Sequence, residues 1–80
     1  MARGFTEDER RTIRSDLIKA GRKLFGTYGL RKTSIGDLTG AVGIAQGSFY
    51  TFFDSKDELY LEVVHQEFEM IRCKFINSDL

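Results

Sequence analysis

The stretch that decides the fold runs from residue 34 to residue 53 and reads SIGDLTGAVGIAQGSFYTFF. Ser34 and Asp37 have the spacing of a capping box, which predicts the start of a short helix. Gly43 follows where that helix should end, because glycine adopts a positive φ at little cost. A second short helix is predicted from about Gln46 to Phe52.

Two short helices that cross steeply through such a turn form a helix-turn-helix. The residue four positions before the glycine should be small, since the helices approach closely there, and Thr39 occupies that position. The sequence places these apolar residues around the turn and on the inner side of the second helix: Leu38, Val42, Ile44, Phe49 and Phe52. A generic helical hairpin is the alternative that this pattern alone leaves open.

A longer helix is predicted before this unit, over residues 7–28. Thr6 and Glu9 form a capping box at its start, and Gly29 should stop it in a left-handed conformation. Its apolar face, at spacings of three and four, should contain Ile13, Leu17, Ala20, Gly21, Leu24, Phe25 and Tyr28.

A fourth helix is predicted after Asp54, with Ser55 and Glu58 as its capping box. Its apolar stripe should contain Leu59, Tyr60, Val63, Val64, Phe68, Ile71 and Phe75. This stripe, with Met70, extends beyond what three short helices can cover, so we expect it to pack on another chain.

The expected fold class is therefore all-α. We expect a three-helix, homeodomain-like helix-turn-helix domain over residues 1–54, followed by a longer fourth helix over residues 55–80. Eighty residues form one domain with a modest core, and the chain has no proline, repeat or low-complexity tract.

The net charge of zero conceals an uneven distribution of charged residues. Residues 1–33 hold nine Lys/Arg against four Asp/Glu, whereas residues 34–80 hold three against eight. This asymmetry suggests that the basic part contacts a polyanion. A solvated basic face on one helix is the alternative that charge alone leaves open.

Several classes of function lack the residues that they need. His65 and Cys73 are the single members of their types, and no metal-ligand spacing, nucleophile–base pair or phosphate-binding glycine loop occurs. We therefore expect no enzymatic activity, no metal and no cofactor, with His65 on the surface and Cys73 buried or at an interface. Without a signal peptide or an apolar run near the roughly 20 residues of a membrane span, a cytoplasmic location is expected.

The sequence resembles the DNA-binding domain of the TetR family of transcriptional regulators over about residues 13–64. Four segments carry the resemblance: Leu24-Phe25 with Gly29, Thr33-Ser34 with Asp37-Leu38, Ala41-Val42-Gly43-Ile44, and the run GSFYTFFDSKDEL at residues 47–59. The last segment is the most specific and weighs against a generic hairpin. The resemblance implies sequence-specific binding of double-stranded DNA and transcriptional repression.

The resemblance further implies that the third helix lies in the major groove as the recognition helix. Gln46, Ser48 and Thr51 are then candidates for reading base edges, and Gly47 would let the backbone approach the DNA. Phe52 is a candidate for contact with a thymine methyl group, although a core position suits it better. The alternatives are an exposed solubilising residue for Gln46 and a tolerant helix start for Gly47.

Phosphate contacts are implied for Ser34, Tyr50 and Lys56, with Arg31 and Lys32 as flanking contacts. A tyrosine ring can pack while its hydroxyl reaches a phosphate, and helix starts favour anions. The alternatives are a helix cap for Ser34, a core-edge ring for Tyr50 and a surface charge for Lys56.

The resemblance also implies a homodimer that reads a palindromic operator. The two copies would be joined through the fourth helix and through a C-terminal domain that is missing from this segment. That domain would hold the small-molecule inducer, so the segment alone is expected to bind none. The competing hypothesis is a protein–protein interaction module that uses the apolar face of the fourth helix.

Three residues depart from the family pattern. Gly21 and Thr39 stand where alanine is usual, and Ala45 stands where serine is common. We expect Gly21 to loosen the first helix, and the Thr39 hydroxyl to need a partner. The third helix should lack a side-chain cap, which typically costs about 1 kcal/mol.

Overall fold

The computed structural model describes residues 4–78, with side chains as far as Lys74. Its helices are α1 (Glu7–Tyr28), α2 (Ile35–Val42), α3 (Phe49–Phe52), which continues a 3₁₀ turn (Gln46–Ser48), and α4 (Lys56–Ser78). The described residues contain no strand. The predicted all-α class and the order of helices are confirmed.

The ends of α1 are set by local hydrogen bonds. The Thr6 hydroxyl accepts the Glu9 N–H at 3.1 Å, and the Glu9 carboxylate accepts the Thr6 N–H at 2.9 Å, which confirms the capping box. Gly29 ends the helix with φ 89° and donates its N–H to the Phe25 carbonyl. Its ψ of 161° is not left-handed helical, so that prediction is wrong in detail. This extended, positive-φ region is open essentially to glycine alone, and the chain leaves the helix axis at once.

One hydrophobic core joins the four helices. Its buried members are Leu17, Ile18, Phe25, Leu38, Phe49, Phe53, Leu59 and Val63. Ile18 lies outside the predicted face of α1, because α1 packs against both α2 and α4 and its buried arc is wider than one stripe. Tyr28 was predicted on that face but is exposed, since α1 ends at this residue.

The turn between α2 and the third helix has the predicted form. Gly43 adopts the left-handed conformation, with φ 90° and ψ 28°, and donates its N–H to the Thr39 carbonyl at 2.8 Å. Thr39 is buried, and its hydroxyl finds the partner it needs in the Ile35 carbonyl at 3.0 Å. The 3₁₀ turn after Ala45 begins without a side-chain cap, as predicted.

The predicted capping box of α4 is half present. The Glu58 N–H donates to the Ser55 hydroxyl at 3.1 Å. The Glu58 carboxylate, however, accepts the N–H of Asp54 at 2.7 Å, so it reaches one residue further back than predicted. The bend at residues 54–55 turns the Asp54 N–H toward the helix start.

The first turns of α4 pack closely on α1 at Gly21. A Cβ placed on Gly21 would lie 3.2 Å from side-chain carbons of Phe25 and Val63 and 3.3 Å from Leu59. The glycine therefore permits a close approach of the two helices, an advantage that the sequence did not reveal. Any loss of helix propensity at this position is accompanied by tighter packing.

Ion pairs bridge the same two helices. Arg22 pairs with Glu67 at 2.8 Å, and Arg14 pairs with Glu62 at 3.7 Å. The Arg14 guanidinium also lies 5.2 Å from the centre of the Phe53 ring. Part of the positive excess of residues 1–33 is therefore neutralised by α4.

The outward side of α4 stays uncovered in this chain. We call four of its exposed apolar residues the outer stripe: Leu61, Val64, Phe68 and Ile71. His65 is exposed as predicted. Cys73 is also exposed, because it lies on the part of α4 that extends past the core, so of its two predicted places the buried one is wrong and the interface stays a prediction. The side chain of Phe75 lies outside the described part of the chain. No helix among residues 4–78 is long and apolar enough to cross a membrane.

Candidate nucleic-acid interface

The segment of residues 46–52 has one buried and one exposed side. Phe49 is 0% exposed and fixes the segment in the core. Gln46, Gly47, Tyr50 and Thr51 are exposed, and their spacing of four residues places them on one side of the segment. Ser48 and Phe52, also predicted to face DNA, are half-buried.

Tyr50 combines an exposed side chain with a supported ring. The residue is 55% exposed, and its ring meets the edge of Phe49 with a centroid distance of 5.5 Å. Because Phe49 is itself immobilised in the core, the Tyr50 ring has a firm base. A hydroxyl carried on such a ring is well suited to a fixed phosphate oxygen.

Phe52 connects the third helix to the chain before α1. Its ring lies 5.7 Å from that of Phe5, measured between centroids. The sequence did not predict this contact, since the two rings are 47 positions apart in the chain. Part of the Phe52 ring is therefore covered by the N-terminal segment.

Ser34 and Asp37 form the complete predicted capping box. The Ser34 hydroxyl oxygen accepts the Asp37 N–H at 3.0 Å, and the Ser34 N–H donates to Asp37 Oδ2 at 3.0 Å. The hydrogen bonds from the backbone and hydroxyl of Ser34 lower the pKa of the Asp37 carboxyl. Since the Ser34 amide is engaged in this box, the hydroxyl is the Ser34 donor that can rotate from the Asp37 carboxylate to a phosphate.

Lys56 lies beside this cap. Its Nζ donates a hydrogen bond of 2.8 Å to the carbonyl oxygen of Thr33, the residue before Ser34. Thr33 is buried, and its own hydroxyl donates to the Gly29 carbonyl at 2.8 Å. The sequence predicts no role for Thr33, because a hydrogen bond from a distant side chain to a backbone carbonyl leaves no sequence pattern.

Basic residues flank the same place. Arg31 and Lys32 are exposed in the turn that leads from α1 to the Ser34 cap. Among the described residues, no group of His, Cys, Asp and Glu side chains could hold a metal ion.

The family model of bacterial regulatory proteins, tetR family, matches residues 17–63. This range covers more than half of the chain and includes α2, the turn and the third helix. The chain belongs to the TetR family. As a TetR-family chain it carries a DNA-binding unit of transcription regulators. Such a unit is not an enzyme. The resemblance seen in the sequence is confirmed.

Curated relatives of this TetR-family chain are regulators of similar type. It is 39% identical to the HTH-type transcriptional repressor KstR2 of Rhodococcus jostii (strain RHA1) over 51 residues, which are 64% of this chain and 25% of the relative. It is 29% identical to the HTH-type transcriptional regulator AcrR of Shigella flexneri over 58 residues, 72% of this chain and 27% of the relative. The HTH-type transcriptional repressor AcnR of Corynebacterium jeikeium (strain K411) is 29% identical over 52 residues, 65% of this chain and 28% of the relative.

The TetR-family chain thus spans about a quarter of the length of these relatives. No solved structure matches it.

Proposed function

We propose that residues 46–52 enter the major groove of double-stranded DNA and read base edges there. The observation that carries this proposal is the two-sided character of the segment. Phe49 is fully buried, while Gln46 and Thr51 are exposed. A helix fixed through its inner side can present the outer side to a groove that is wide enough to admit it.

The proposed readers are Gln46, Ser48 and Thr51. Their amide and hydroxyl groups can donate and accept hydrogen bonds, as the base edges of the major groove require. Gln46 has the main role, because its amide can form two hydrogen bonds with adenine. Gly47 lets the backbone approach the bases, and the uncovered part of the Phe52 ring contacts a thymine methyl group.

Phosphate groups are held on both sides of the reading segment in this proposal. The hydroxyl groups of Ser34 and Tyr50 and the ammonium group of Lys56 donate to phosphate oxygens, and Arg31 and Lys32 add flanking charge. Such contacts set the position of the protein on the duplex without reading its sequence. The juxtaposition of Lys56 with the Ser34 cap, through the Thr33 carbonyl, supports this arrangement.

We infer that residues 1–54 are the DNA-binding unit of a longer repressor, and that residues 55–80 connect it to a C-terminal domain. Relatives named as repressors, and roughly four times longer than the matched region, support this division. The small-molecule inducer binds in that further domain and not in this segment.

The proposed operator is palindromic and is bound by two copies of the chain. One reading segment contacts only a few base pairs, and two of them about one helical turn apart read an inverted repeat. The outer stripe of α4 is the proposed surface for the second copy, since Phe68, the most exposed of its residues at 75%, adjoins further exposed apolar side chains.

Sedimentation tests this pairing of two copies. It should show a concentration-dependent dimer that Ile71→Asp abolishes. A monomer at high concentration contradicts pairing through α4.

Selection of bound duplexes from a random pool tests the proposed function. We expect the chain to enrich duplexes that share an inverted repeat, and the Gln46→Ala variant to enrich a different sequence at one position of each half-site. Failure of the folded wild-type chain to enrich any sequence contradicts the proposal.

The exposed outer stripe also favours a second candidate, a protein–protein interaction module. This candidate expects no enrichment of any duplex. Under this candidate, a charged substitution at Val64 or Ile71 abolishes binding of the partner protein, and substitutions at residues 46–51 do not affect that binding.

A further inference from the structure

Gly36 lies in the first turn of α2, directly beside the side chain of Gln46. A Cβ placed on Gly36 would lie 3.5 Å from Oε1 and 3.9 Å from Cδ of Gln46, and 3.6 Å from the Ser34 hydroxyl oxygen. The space above Gly36 is thus bounded by the proposed base reader on one side and a proposed phosphate contact on the other.

A second glycine in the same helix provides the comparison. Gly40 lies one turn after Gly36, and a Cβ placed there would meet no atom within 4 Å. Each glycine lowers helix stability relative to alanine. Both φ angles are negative, so neither glycine is needed for the backbone conformation of α2.

We propose that Gly36 is a positioning residue for Gln46: the amide lies against the start of α2, and the missing side chain leaves it room to turn there. This inference rests on the proposed function. A surface glutamine ordinarily samples many rotamers, and fixing one of them costs side-chain entropy. A neighbouring surface that fits the amide selects among those rotamers before the DNA arrives.

The orientation of the amide follows from the same contact. Oε1 is the Gln46 atom nearest to Gly36, and the first-turn N–H groups of a helix favour an acceptor oxygen. Because a two-bond contact with adenine uses Oε1 as well as Nε2, the amide has to turn away from α2 when it reads that base. Position 36 therefore influences which base Gln46 prefers, although residue 36 itself contributes no side chain.

Alanine at position 36 tests this role without distorting the helix. Its methyl group fits at ordinary contact distance from Oε1, so Gly36→Ala should fold at least as well as the wild-type chain. The methyl group nevertheless takes away the space in which the amide turns and is hydrated. Gly40→Ala is the matched control, since it brings the same gain in helix propensity without touching Gln46.

The experiment compares both alanine variants with the wild-type chain, in the presence and absence of Gln46→Ala. Duplexes selected from a random pool define the preferred site, and titrations against each single-base variant give the preference at the pair that Gln46 reads. We expect Gly36→Ala to change that preference about three- to tenfold, and Gly40→Ala to leave it unchanged. In the Gln46→Ala background, Gly36→Ala should change nothing further.

Two results overturn the inference alone: equal preferences for Gly36→Ala and Gly40→Ala, or an effect of Gly36→Ala that persists without the Gln46 amide. A wild-type chain that enriches no duplex overturns the proposed function and this inference with it. Helical circular dichroism of each variant shows in every case that a folded chain was measured.

Discussion

The ammonium group of Lys56 donates a hydrogen bond of 2.8 Å to the carbonyl oxygen of Thr33. This bond holds the first residue of α4 next to the residue that precedes the α2 cap. The N-terminal ends of α2 and α4 each have unsatisfied N–H groups and a partial positive charge. The positively charged Lys56 side chain links these two ends through its bond to Thr33. Because an ammonium group has three N–H donors, Lys56 keeps further donors for an anion.

The first prediction concerns Lys56→Ala. We expect weaker binding to all duplexes, and a salt dependence of log K that is shallower by about one unit, because one phosphate contact is lost. Arg72→Ala, at the other end of α4, should leave the salt dependence unchanged. Titrations at several salt concentrations measure both, and equal slopes for the Lys56 variant and the wild-type chain would exclude the contact.

The second prediction concerns the hydroxyl group of Tyr50. Tyr50→Phe keeps the ring against Phe49, so the free energy of unfolding should not change. Binding to DNA should weaken about tenfold, since a hydrogen bond to a charged group contributes roughly 1.5–3 kcal/mol when it is made. Tyr60→Phe is the control, because the Tyr60 ring packs on Phe25 of the core. Equal affinities of the two variants would show that the Tyr50 hydroxyl is not used.

The third prediction separates close packing from helix propensity at Gly21. Gly21→Ala places a methyl group 3.2–3.3 Å from side chains of three neighbours, and overpacking typically costs 1–3 kcal/mol. We expect a net loss of about 1 kcal/mol in the free energy of unfolding, because roughly 0.5–1 kcal/mol of helix propensity is gained. Gly26→Ala, in the same helix with no atom within 4 Å of the new Cβ, should be stabilising. Urea unfolding measures both, and equal stabilisation by the two alanines would show that α4 does not pack closely on Gly21.

The fourth prediction concerns pH. The bonds from Ser34 lower the pKa of Asp37 in the folded chain, so this carboxylate stabilises the fold at pH values above the ordinary aspartate pKa. The contribution disappears as the pH falls through the lowered, folded value. Asp37→Asn should therefore be less stable than the wild-type chain at neutral pH, and the difference should shrink below about pH 4.

Urea midpoints at a series of pH values measure this effect. Asp57→Asn, which removes a first-turn carboxylate from α4, controls for the general effect of charge. A deficit in Asp37→Asn that stays constant down to acidic pH would show that the carboxylate charge does not stabilise the cap.

The features that the sequence predicted correctly depend on neighbours in the chain. The capping boxes at Thr6 and Ser34 need two residues three positions apart, and the turn at Gly43 needs one residue without a side chain. The apolar spacing of α1 and α2 likewise reflects a local helical period. These patterns were enough to predict the bounds of α1 and α2 and the burial of Phe49, whereas the first half of the predicted third helix is a 3₁₀ turn.

The features that the sequence did not reveal depend on contacts between distant residues. Ile18 is buried because two helices cover α1, and the value of Gly21 appears only when α4 lies against it. The same holds for the candidate interface: its residue types could be predicted from the sequence, but not which of their atoms are free to bind. The engagement of the Ser34 amide and the hydrogen bond from Lys56 to Thr33 follow from the folded geometry alone.

The central claim is that the exposed side of residues 46–51 faces DNA, and nuclear magnetic resonance tests it most directly. An isotope-labelled chain is titrated with the selected duplex while the backbone amide shifts are followed. We expect the largest changes at residues 46–51, with further changes at Ser34 and Lys56. Changes confined to the outer stripe of α4, with residues 46–51 unaffected, would contradict the claim.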